Sequence, residues 1–81
     1  MKNPKIETIN CLAHDIDDEL FLLRHYWEDE QKAIQKSKET GKPYWQYMDW
    51  KGRKPNKTRV VDRCKIIRQI LMEISKEAEQ L

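Results

Sequence analysis

At 81 residues the chain makes one domain at most, near the size where a single core gives marginal stability. Charged residues are 37% and hydrophobic residues 38%, which excludes a thick globular core and favours thin helical packing helped by self-association. The formal net charge is only +2, two cysteines make no disulfide framework, and no apolar run reaches the ~18 residues of a membrane span.

The opening MKNPKIETIN lacks the apolar core of a secretory signal, so a cytoplasmic protein with reduced Cys11 and Cys64 is expected. Asn3 suits a helix N-cap, and Pro4 suits the first helical position because its missing N–H would be unpaired there anyway. The spacing then predicts a helix over about 4–40. Ile6, Ile9, Ala13, Ile16, Leu20, Leu23, Trp27 and Ile34 form a heptad-like seam, with Phe21, Leu22 and Tyr26 off it. Beyond Trp27 the pattern thins into EDEQKAIQKSKE, where Glu28–Lys32 is a favourable i,i+4 pair and the helix end is expected to fray or project into solvent. Gly41 followed by Pro43 is a strong stop.

Residues 43–51 read as a short aromatic helix or turn. Pro43 sits in its first turn, Gly52 lies just past its end, and its expected place is docked on the hairpin. The last helix covers about 57–81, capped by Asn56 or Thr58. Its seam is Val60, Cys64, Ile67, Leu71, Ile74, Ala78 and Leu81, alternating four and three without a fault. Val61, Ile66 and Ile70 widen its apolar face beyond what one partner helix covers.

The fold class expected is therefore all-α. It is a single helical domain, 1–81, built as an antiparallel helical hairpin and dimerising into a helical bundle. The two helices differ in length, about 55 Å against about 36 Å at 1.5 Å per residue. With their loop ends aligned, Ile6, Ile9 and Leu12 overhang. That asks for a bend near 13–15 or for a second copy.

The segment Gly41–Arg68 is chemically distinct. It holds both glycines, two of the three prolines, four of the seven aromatics and nine of the sixteen basic residues. Within it, 51–68 carries eight basic residues against Asp62 alone, while 1–50 has a net charge of −3 and 69–81 of −2. So local an excess concerns partners rather than fold. Lys51, Arg53, Lys54, Lys57, Arg59 and Arg63 are candidate phosphate ligands. Arg59 and Arg63 share a helix face one turn apart near a helix N-terminus.

Flat rings beside them offer stacking faces to bases. Tyr44, Trp45, Tyr47, Met48 and Trp50 equally match the residues that anchor protein interfaces. The expected function is a small nucleic-acid-binding accessory or regulatory protein. The alternative is an adaptor, assembly factor or inhibitor that docks on a larger protein.

The acidic clusters Asp15, Asp17, Asp18, Glu19 and Glu28, Asp29, Glu30 read as solvated faces, since no calcium-type loop or Glu-x-x-His pair accompanies them. Cys11, His14, His25 and Cys64 are zinc-ligand types without paired spacing, and Cys64 is better read as a small core residue. Ser37, Ser75 and the threonines lie near no activating His or phosphate-cradling glycine loop. Neither catalysis nor a cofactor or metal is expected.

Overall fold

The computed structural model describes residues 3–81, and among them the only regular elements are helical: α1 (Pro4–Thr40), a 3₁₀ turn (Tyr44–Tyr47) and α2 (Lys57–Glu79). The protein is an all-helical hairpin with two helices packed against each other. By contacts the chain divides into two compact units. One comprises residues up to Leu20 together with Asn56–Leu81, and the other is Phe21–Pro55.

Both long helices begin at an asparagine cap. The Lys5 amide donates to Asn3 Oδ1 (2.9 Å) and the Thr58 amide to Asn56 Oδ1 (2.8 Å), each pairing an N–H that has no partner inside the helix. At the far end of α1, Gly41 takes φ +75°, a left-handed conformation natural to glycine, and its amide closes onto the Ser37 carbonyl at 2.8 Å.

In the first unit, α2 packs on the N-terminal part of α1. Arg63 pairs with Asp15 at 3.5 Å, Arg59 lies 3.9 Å from Glu19, and Lys5 pairs with Glu77 near the other end. The covered face is rotated from the seam read in the sequence. Along α1 the sheltered positions are Lys5, Ile9, Leu12, Ile16 and Glu19, while Ile6, Ala13 and Leu20 remain exposed. Along α2 they are Val60, Arg63, Ile67, Ile70 and Ile74, while Cys64, Leu71 and Ala78 remain exposed. Cys64 is thus not a core residue. Its neighbour Arg63 takes the inward position, laying its aliphatic stem in the contact while its charge meets Asp15.

In the second unit the connector runs back along α1. Tyr47 reaches Thr40, Asp49 and Trp50 reach Asp29, and Trp50 with Lys54 reaches Tyr26. This removes the overhang expected from helix lengths. α2 starts beside Glu19 rather than beside Thr40, so Lys5 and Ile9 already lie opposite its last turns. α1 needs no break near 13–15 and is continuous.

The short helix expected over 43–51 is a single 3₁₀ turn. Pro43 (ψ 137°) and Met48 (ψ 131°) are extended on either side, because Asp29 draws the 49–50 backbone onto α1 instead of letting it continue as helix. Nor does the end of α1 stand free. Ser37 donates to the Lys42 carbonyl, and Glu28 faces His25 at 3.9 Å.

Candidate interaction surface

Two carboxylates of α1 anchor the connector and the start of α2. Asp29 accepts the Asp49 amide with both oxygens, each at 3.1 Å, and the Trp50 amide at 3.0 Å. Glu19, only 5% exposed, accepts the Asn56 amide at 3.1 Å and faces Arg59. A buried charge is tolerable only when paired and hydrogen-bonded, and Glu19 has both kinds of partner. It also places negative charge against the N-terminus of α2, where free amide groups favour it.

Glu19 and Asp29, expected from the sequence to lie on solvated faces, are therefore structural anchors, while Asp15 is exposed as expected and pairs with Arg63 from the surface. The sequence carries a signal for both anchors. Glu19 and Asp29 continue the three-and-four spacing of Ile9, Leu12 and Ile16 through Tyr26 and Ala33. Read on that phase, the acids fall on the covered face.

The six basic candidates divide accordingly. Arg59 and Arg63 are engaged with Glu19 and Asp15, and the Arg63 guanidinium also donates to the Arg59 carbonyl at 3.2 Å. The Arg63 Nε is shielded from solvent without a well-aligned acceptor, so its 3.5 Å approach to Asp15 is an ionic contact rather than a good hydrogen bond. Arg53 donates to the Lys54 carbonyl at 3.3 Å, and the Lys54 ammonium stands 5.4 Å over the Tyr26 ring. Lys51 and Lys57 are exposed and make no ion pair with another described residue. Arg59 and Arg63 thus each have an acid of α1 as partner, with Arg59 still exposed, whereas Lys51 and Lys57 at either end of the loop have none among the described residues.

The five aromatic and Met candidates divide too. Trp50 packs edge-on against Tyr26, with centroids 5.4 Å apart and an 80° interplanar angle, and its indole N–H donates to the Arg53 carbonyl at 3.1 Å. Gly52, at φ +94°, makes that tight return possible. Tyr47 shares a 2.8 Å hydrogen bond with the Thr40 hydroxyl and lies under the Lys36 ammonium. Met48 is half-buried. Tyr44 and Trp45 are outward, 41% and 65% exposed. The aromatic segment is thus neither wholly a buried closure nor wholly a surface: the inner rings fasten the turn and the outer two are displayed by it.

Among the described residues no three His, Cys, Asp or Glu side chains converge to hold a metal ion. His14 faces Asp18 at 3.6 Å, and both cysteines are exposed free thiols. No helix among these residues is long and apolar enough to cross a membrane. Comparison with protein-family models, curated proteins and solved structures finds no match for this chain.

Proposed function

We propose that this chain is a cytoplasmic, non-catalytic, homodimeric interaction module that docks on a larger protein through Tyr44 and Trp45. The observation that carries this reading is two exposed rings on a pinned turn. Asp29 fixes the backbone after the turn and Thr40 fixes Tyr47 within it, so the rings are displayed with little left to order on binding. Rings held in this way are the usual anchors of protein interfaces, and their loss typically costs ~2 kcal/mol or more of binding.

The test is affinity capture with wild-type and Trp45→Ala baits, followed by cross-linking mass spectrometry of the recovered complex. A stoichiometric protein lost by the variant and cross-linked beside residue 45 is expected. A partner retained undiminished by both Trp45→Ala and Tyr44→Ala sinks the reading.

Phosphate contact by the basic segment 51–68 is the second reading, and the unpaired Lys51 and Lys57 favour it. It predicts that Lys51→Ala and Lys57→Ala each lower the salt dependence of DNA or RNA binding by roughly one unit of slope. Salt-independent binding to a mixed panel would remove it.

A further inference from the structure

The two sides of the α1/α2 contact are chemically unlike. On both helices, the residue just after a contact position points to the same side of the pair, because the helices are antiparallel and the screw sense therefore mirrors across the contact. After Lys5, Leu12 and Glu19 come Ile6, Ala13 and Leu20; after Arg63, Ile70 and Glu77 come Cys64, Leu71 and Ala78. All six are exposed, with Ile6 43%, Leu20 47% and Leu71 51% accessible. The opposite side presents Thr8, Asp15, Arg59 and Glu73, with Ile66 as its apolar exception. This flank therefore carries an exposed apolar residue at every seventh position of each helix, with Asn10, Asp17, Arg68 and Ser75 between them, while no apolar side chain of this unit is buried among the described residues.

We infer that this flank is covered by a second copy of the chain, with α1 of each copy lying antiparallel on α2 of the other; the inference rests on the homodimer proposed under the function. The two stripes complement each other in size. Along α1 they run large, small, large (Ile6, Ala13, Leu20), and along α2 small, large, small (Cys64, Leu71, Ala78), all at seven-residue intervals. In a single antiparallel register Ile6 meets Ala78, Ala13 meets Leu71 and Leu20 meets Cys64, so every bulky side chain faces a small one, as close packing requires.

That register is two residues from the Lys5–Glu77 pairing inside the chain and six from the Asp15–Arg63 and Glu19–Arg59 pairings. It also brings Asp17, at the outer rim, to within one residue of Arg68. Neither makes an ion pair in its own chain among the described residues. The two-fold repeats each match, and the product is a four-helix bundle with a shared apolar centre, the usual remedy for a chain this small.

The experiment has three arms. Light scattering coupled to gel filtration is expected to give twice the 9.9 kDa chain mass. Oxidation of a Cys11→Ser/Leu20→Cys variant is expected to give a covalent dimer through Cys64 of the other copy, whereas Cys11→Ser alone stays unlinked. Surface charge reversal avoids the folding question: Asp17→Arg is expected to weaken the dimer roughly tenfold, and adding Arg68→Asp to restore it. A monomeric mass at tens of micromolar overturns the dimer and this interface together. A dimer that forms no link between positions 20 and 64 of different copies, and that double charge reversal does not restore, overturns this interface alone.

Discussion

Glu19 concentrates the residue-scale energetics. Truncation to alanine leaves the Asn56 amide without its acceptor and Arg59 without its counter-charge. A hydrogen bond to a charged acceptor contributes about 1.5–3 kcal/mol, so Glu19→Ala is expected to lower unfolding free energy by about 2 kcal/mol in urea titrations, with the helix-start amides of 56–58 exchanging faster. Glu19→Gln keeps an acceptor and is expected to lose about half as much. Equal losses would mean that the carboxylate charge contributes little. Lys5 gives a smaller, pH-dependent signature. Its hydrogen bond to Glu77 raises the ammonium above its ordinary value of 10.5, against a weaker opposing effect of desolvation. A raised folded-state value stabilises the fold below pH 10.5 and loses that contribution as pH rises through the folded value. The stability gap between wild type and Lys5→Met is therefore expected to close in alkali, and a gap that stays constant to about pH 12 contradicts the pairing.

Among the elements, the connector is the one whose path depends on very few atoms. Its extended stretch has no helical or sheet ladder, and Asp29 supplies the acceptors for two successive amides. Asp29→Ala is expected to release 48–54 while leaving most of the helix signal intact. Fluorescence of Trp50 as it leaves Tyr26, together with exchange at the amides of 49 and 50, would register this; unchanged exchange there would refute it. This element also marks the boundary of what the sequence made legible. Caps, stops and the interiors of both helices follow from side-chain chemistry and spacing within a few residues, so Asn3, Pro4, Gly41 and Asn56 announce them. The connector's path depends instead on a carboxylate twenty residues upstream, a pairing that no local pattern encodes. The packed faces were half legible, with Ile9, Ile16, Val60, Ile67 and Ile74 sheltered as the seam predicts, and the other half failed for a related reason. A helix face three positions wide can be read on either of two phases, and the greasier phase lost to the one bearing Glu19 and Arg63, because the pairing charges lie there. Trp45 and Tyr44 were legible as a kind of residue but not as the exposed members of their set.

For the whole molecule, the balance of covered and uncovered surface is unusual. Ala33 is the one buried hydrophobic residue among those described, while Phe21, Trp27, Trp45, Leu71 and Met72 are each more than half exposed. A chain with so little sheltered apolar surface has a small reserve against its conformational entropy, and the proposed dimer would supply part of its stability. The midpoint of thermal unfolding is therefore expected to rise with protein concentration between micromolar and millimolar, as mass action requires for a dimer that dissociates on unfolding. A midpoint independent of concentration would place the stability within the single chain.

The order of the cross-chain anchors implies a route by which the chain folds. They are nested about Gly41: Thr40 with Tyr47, seven residues apart; Asp29 with Asp49, twenty; Glu19 with Asn56, thirty-seven; Lys5 with Glu77, seventy-two. Each closure brings the next pair nearer. Once Asp29 holds Asp49, only ten residues on one side and seven on the other separate the Glu19–Asn56 contact, so the entropy of closing its loop has largely been met already. The chain is therefore expected to close from its tip, with the amides of 49 and 50 protected before that of 56 in pulsed hydrogen exchange.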